Sequence, residues 1–213
     1  MSSVTITEIK QTKRGRYALF CADGFMFSID EDTVARHHVK KGMQLENEQL
    51  MQIRAASDFQ KAKNKALDLL SMRDHSEYEL RQKLMKTYDE DTAALAVQKV
   101  SELKLTDDGT FARRYASELI ESKGQSKRAA AQKLREKGIS REIIEQTLTK
   151  YEDDETQQLL ELVKKKYRVK LEKENGRKSV FAALMRKGFS SRDIKSVLNE
   201  IGGADDNDIY EEF

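Results

Sequence analysis

The spacing of hydrophobic residues changes near residue 59. Before it, VTITEI, RYALFC and FMFSI are short β-branched or aromatic runs, the composition that suits strands. Asp23-Gly24 joins the last two runs, and Asp-Gly between such runs predicts a hairpin. Asp30 and the acids behind it predict a short helix through Val39, ended by Gly42. Together these make a small β-rich segment over 1–58. From Phe59 on, Phe59, Ala62, Ala66 and Leu69 step by three and four, the period of one helical face.

The helical pattern then repeats. Leu84, Leu134 and Leu184 fall fifty residues apart, twice over. Each belongs to a short helix opened by a polar residue: Ser76 with Glu79 in capping-box register, Ser126, and the Asn175-Gly176 break. Each is preceded by a longer helix, carrying Ala62 and Ala66, then Phe111, Tyr115 and Leu119, then Leu160, Val163 and Tyr167. Each is followed by a third, carrying Ala96 and Val100, then Ile144 and Leu148, then Ile194 and Leu198. KLREKGISREIIEQTL (133–148) and ALMRKGFSSRDIKSVL (183–198) match most closely. In both, Lys-Gly ends a helix where a left-handed residue belongs. The first copy has Thr87-Tyr88 there and is one residue short. The organisation read from this is a β-rich segment over 1–58, three-helix repeats over 59–105, 106–150 and 151–201, and a tail over 202–213. The fold class is mainly α, with three tandem three-helix repeats.

Composition sharpens this picture. Charged residues are 36% and hydrophobic ones 38% of 213 residues. Globular domains average nearer about a quarter charged, so this chain buries thin stripes and an elongated array is expected. Pro is absent, which leaves long helices open. One cysteine, Cys21, makes no intrachain disulfide and fits a reducing compartment. No stretch approaches the roughly 18 apolar residues of a membrane span, and MSSVTITEIK has no signal-peptide core. A cytoplasmic protein is the expectation. Net charge runs 0 over 1–58, +1 over 59–105, +3 over 106–150, +3 over 151–201 and −5 over 202–213. The body grows basic and an acidic tail follows, expected to be disordered.

The order of residues adds a resemblance. ALDLLSMRDHSEYELRQKL, LTDDGTFARRYASELIESKGQSKRAAAQKLREKGIS and ALMRKGFSSRDIKSVL together resemble the RecX family, regulators of the RecA recombinase. The most specific part is the run Asp107, Asp108, Phe111, Ala112 and Tyr115, followed by a capped helix ending in KGIS. The resemblance covers about 60–200 and leaves out the β-rich segment and the tail. It implies a bacterial cytoplasmic protein, a monomer, that binds RecA and chiefly the RecA–DNA filament, lying in the filament groove. It implies inhibition of filament growth, and with it strand exchange, ATP hydrolysis and co-protease activity.

The residues themselves offer a candidate surface. Lys123, Lys127, Arg128, Lys133, Arg135 and Lys137 follow the middle helix of the second repeat. In the third, Lys164, Lys165, Lys166, Arg168, Lys170, Lys173, Arg177 and Lys178 outnumber Glu172 and Glu174. Such a run is either a solvated helix face or a surface for a polyanion. Contacts to single- or double-stranded DNA would be to phosphate, salt-sensitive and poor in sequence information. Phe111 and Tyr115 could stack on bases, but their spacing with Leu119 places them in a core stripe. Asp107 and Asp108 beside Thr106 suit a helix start better than a metal, and adjacent His37 and His38 do not share a helical face. His75 precedes a cap and has no second His or Cys near it in sequence. No phosphate loop, nucleophile with a base, or metal-ligand spacing is present, so neither enzyme activity nor a cofactor is expected. Two other classes remain open: a helix-turn-helix regulator acting on duplex DNA, and a protein-binding scaffold of α-repeats.

Overall fold

The computed structural model describes residues 3–13, 15–151 and 155–202. Glu152–Asp154 of the acidic EDDE run, and the tail beyond Gly202, lie outside the described residues. The chain divides between Thr106 and Asp107 into two compact units.

In the first unit, β1 (Ser3–Thr5) pairs antiparallel with β5 (Gln44–Glu46), Val4 opposite Leu45. Strands β2 (Glu8–Gln11), β3 (Tyr17–Cys21) and β4 (Gly24–Ile29) form an antiparallel sheet in the order β2-β3-β4. The Asp23-Gly24 hairpin is present, with a register shift between Leu19 and Phe20. VTITEI is not one strand: it divides between the two sheets at buried Ile6, whose N–H bonds Met43 O at 2.9 Å. Helix α1 (Glu31–Arg36) starts at the Asp30 cap and stops short of Val39. His38 turns left-handed at φ 50°, and the Val39 N–H bonds back to Val34 O at 3.0 Å. Val39 thereby enters the core, and Gly42 lies in the turn after it.

Helix α2 (Asn47–Met72) is continuous through residue 58, where the sequence pattern suggests a boundary. The reason is a division of labour along one helix. Ile53 packs in the core of the β-rich segment, and Ala62 and Ala66 pack in that of the first repeat. Between them, fully buried Ser57 accepts from the Arg16 Nη2 (2.8 Å), which also donates to Ser28 O at 2.8 Å. Polar Ser57 hides the continuity from a hydrophobic-periodicity reading. Helices α3 (Glu77–Leu84) and α4 (Glu90–Glu102) complete the repeat on Leu80, Leu84, Ala93, Ala96 and Val100. Ser76 and Asp89 cap them, accepting the N–H of Glu79 (3.1 Å) and of Thr92 (2.8 Å).

The second unit holds two repeats, each with its own core. Helix α5 (Asp108–Ser117) continues into a π-helical turn over Glu118–Ser122. Helices α6 (Lys127–Glu136) and α7 (Arg141–Thr149) follow, capped by Ser126 and Ser140. Phe111, Leu119, Leu134, Ile144 and Leu148 are buried together; the Phe111 and Tyr115 rings lie 5.6 Å apart within this core. The third repeat is α8 (Glu155–Lys166), the short α9 (Arg168–Leu171), α10 (Gly176–Arg186) and α11 (Ser191–Gly202). Asn175 is left-handed, and a Cβ on Gly176 would come within 2.1 Å of Lys170 O. Asn175-Gly176 therefore forms a break where the sequence pattern suggests one.

Candidate polyanion-binding surface

The basic residues of the second unit fall into two groups, and packing decides which. Lys166 and Lys187 are drawn into the seam between the second and third repeats. The helix ending at Ser122 leaves carbonyls that the helix itself cannot satisfy. The Lys166 Nζ donates to Ser122 O at 3.2 Å and the Lys187 Nζ donates to Lys123 O. The same seam is closed by the Ser126 N–H donating to Lys187 O (2.9 Å) and the Lys127 N–H donating to the Glu155 carboxylate (3.1 Å). Gly188 sits against α6: a Cβ there would come within 2.6 Å of both Ala129 Cβ and Ser126 Oγ. Leu162 lies over Gly124 in the same way.

Other candidate cations are also tied down. Lys123 pairs with Glu118 at 2.7 Å, a hydrogen bond that raises its pKa. Lys137 lies over the Tyr115 ring, 5.9 Å from its centre. Arg135 donates to Gln132 Oε1 (3.0 Å). Arg177 is half-buried and donates to Leu198 O and Asn199 Oδ1, both at 3.0 Å, holding the end of α11. Lys127 is half-buried at the start of α6.

What remains is a smaller set. Lys164, Lys165, Arg168 and Lys170 on α8 and α9 are exposed, as is Arg128 on α6, and none of the five makes an ion pair with a described residue. Lys133 and Lys178 are half-buried and likewise unpaired. The lysine run also splits around α8. Lys165 and Lys166 line a cavity of about 440 Å³ with Glu121, Gln125, Tyr151 and Glu161. Lys164 and Arg168 line another of about 420 Å³ with Val163, Leu171, Glu200 and Ile201.

Sequence reasoning missed Lys187. Burial lowers its pKa, and the nearby charges of Lys166 and Lys133 lower it further. Those effects mark a crowded positive seam. The signal was available: Lys187-Gly188 repeats Lys137-Gly138. On the acidic side, Glu121 accepts from the Tyr151 hydroxyl (2.8 Å), Ser117 and Lys150, which lower its pKa. It therefore stays ionised in the structure, beside Lys165 and Lys166.

Outside this surface, His75 is only 3% exposed, and its Nδ1 lies 2.9 Å from Arg73 O. Burial lowers its pKa, so the ring is neutral. The His75 carbonyl accepts from the buried Thr106 hydroxyl (3.1 Å), fixing the end of the first repeat. Asp107 caps α5 by accepting the Thr110 N–H. Among the described residues, no group of three or more His, Cys, Asp and Glu could hold a metal ion, and no helix is long and apolar enough to cross a membrane.

Comparison with known proteins follows the three repeats. Family models match 62–99 (RecX, first three-helix domain), 107–148 (RecX, second three-helix domain) and 152–198 (RecX, third three-helix domain). The regulatory protein RecX of Clostridioides difficile is 31% identical over 210 residues, covering 96% of this chain and 99% of the relative. That of Listeria welshimeri is 30% identical over 218 residues, covering 98% and 80%. The similarity therefore reaches past 60–200 into the β-rich segment. A crystal structure of regulatory protein RecX superposes with a TM-score of 0.65 at 25% identity, over 92% of this chain and 99% of that one. RecX from Lactobacillus salivarius does so with 0.57, also at 25%, over 68% and 97%.

Proposed function

The chain belongs to the RecX family, and from that premise we propose that it regulates a RecA-type recombinase by binding the RecA–DNA filament. In this reading it restrains filament growth, and with it strand exchange, ATP hydrolysis and co-protease activity. It works as a cytoplasmic monomer, without catalysis or cofactor. The repeats over 59–105, 106–150 and 151–201 are its recognition units.

One observation carries the contact surface. The cations of α8 and α9 that pair with no described residue, Lys164, Lys165, Arg168 and Lys170, lie together within seven residues of chain. Unpaired, exposed cations keep their charge available to a polyanion. Lys166, Lys123 and Arg177 act within the fold instead. DNA phosphate and the acidic protein surface of the filament are both suitable partners for the free group. Each phosphate contact releases counterions. Losing four cations that all meet single-stranded DNA would flatten the salt dependence by about 3 in log–log slope.

The test compares binding to three targets: naked single-stranded DNA, naked duplex, and single-stranded DNA coated with RecA. The expected result is preference for the RecA-coated strand. Equal or tighter binding to naked duplex would replace this reading with a helix-turn-helix regulator. Binding to RecA with no dependence on DNA would replace it with a protein scaffold.

A further inference from the structure

The groove where α8 and α9 meet the end of α11 has a chemistry that the rest of this chain complements. Its floor is apolar: Val163 is buried, and Leu171 and Ile201 are half-buried and packed on the same core. Its exposed lining carries the cations Lys164 and Arg168 and one acid, Glu200. An occupant needs carboxylates for the cations and an apolar side chain for the floor, with its acids held away from Glu200.

After Gly202 the chain reads GADDNDIYEEF. These eleven residues carry five acids, no base, and the apolar Ile209, Tyr210 and Phe213. Ile201, one residue before Gly202, is itself part of the groove wall. Arg177 fixes that end of α11 through Leu198 O and Asn199. Eleven residues reach up to about 36 Å, ample for a groove that begins next to them. A tether this short gives an effective concentration on the order of millimolar, so a weak contact suffices. We propose that segment 203–213 docks in this groove, placing an apolar side chain on Val163, Leu171 and Ile201 and its carboxylates on Lys164 and Arg168, and so competes with the polyanion. The competition rests on the proposed polyanion-facing role of Lys164 and Arg168; the docking does not.

The test uses the full-length chain and a full-length variant with Asp205→Asn, Asp206→Asn, Asp208→Asn, Glu211→Gln and Glu212→Gln. The first readout is methyl NMR of Val163, Leu171 and Ile201 with no polyanion present. Docking predicts that these methyls differ between the two chains at about 50 mM salt and converge at about 500 mM, where exposed charges are screened. Identical spectra at low salt would overturn the proposal. The second readout is affinity for a fluorescent oligothymidylate. The variant should bind roughly five- to tenfold tighter at low salt, a gain set by charges within about a Debye length of these cations. In a Lys164→Ala, Arg168→Ala background that gain should vanish, because coupling between contacting groups is what a double-mutant cycle isolates. A gain that persists there is long-range charge alone and overturns docking as its cause. Methyl differences with no gain in affinity overturn the competition. Methyl differences with no oligothymidylate binding by either chain support the docking and remove the polyanion reading instead.

Discussion

The turns after α3 and α10 end the same kind of helix by different means. After α10, Gly188 is left-handed at φ 92°, and the Phe189 N–H reaches back to Leu184 O (3.3 Å). The turn after α6 matches it, with Gly138 at φ 75° and the Ile139 N–H on Leu134 O (3.1 Å). After α3 the turn is one residue shorter. The Tyr88 N–H reaches Leu84 O at 3.0 Å, and no residue between them has a positive φ. All three turns return a hydrophobe to their own repeat's core: Tyr88, Ile139 and Phe189. Their outer sides diverge. Gly188 has α6 pressed against it and Lys187 bonded across the seam. Tyr88 instead lies near Asp58 and Arg16; burial first, then Asp58, raises its pKa. A helix can be closed without glycine by stopping one residue early. At Gly188 two demands meet, a left-handed turn and a neighbouring repeat packed against it.

Changes at these turns should therefore differ in size. Gly188→Val should cost the most, since it meets both a left-handed backbone, about 1–2 kcal/mol, and a contact with Ala129 and Ser126 that needs repacking, about 1–3 kcal/mol. A loss of about 3 kcal/mol is expected in urea unfolding. Thr87→Gly, at a turn that uses no left-handed residue, should stay within about 1 kcal/mol. Equal losses at the two sites would erase the distinction. Ser126→Ala should come next, removing a nearly fully buried cap for about 1 kcal/mol. Ser140→Ala, with an exposed cap bond of 3.4 Å, should lose less.

The smallest effect concerns His75 and pH. Its folded pKa lies below the ordinary value of about 6.5. As pH falls through that value the unfolded chain takes up the proton first, which favours unfolding. Stability from the neutral ring is thus fully present above about pH 6.5 and declines as pH falls toward the folded pKa. Unfolding curves at about pH 8 and pH 5.5 should show a steeper pH loss for the native chain than for His75→Gln. Parallel losses would show that His75 does not carry the dependence.

Much of this architecture was legible because caps and stripes are local signals. Ser76, Ser126, Ser140 and Asp107 cap helices, and Phe111 and Leu134 are buried. The continuity of α2 was not legible, because buried Ser57 satisfies Arg16 and Ser28 through space and breaks the apolar period. The candidate surface was legible in composition but not in role. Lys164, Lys165 and Lys166 read as one block, yet one turn of α8 divides them between two cavities. Only the third of them caps Ser122 O. Pairing across 44 residues leaves no mark on local spacing.

That division fixes the decisive measurement: RecA's single-stranded-DNA-dependent ATP hydrolysis, titrated with three full-length chains. The native chain should inhibit. Lys164→Glu, Lys165→Glu, Arg168→Glu and Lys170→Glu combined should abolish most inhibition while costing no more than about 2 kcal/mol of stability, since exposed changes stay within about ±0.5 kcal/mol each. Lys166→Met with Lys187→Met should lower the midpoint and, at temperatures where the chain remains folded, keep most of the inhibition. Full inhibition by the fourfold reversal, with the chain folded, would contradict the account and move the functional surface off α8 and α9.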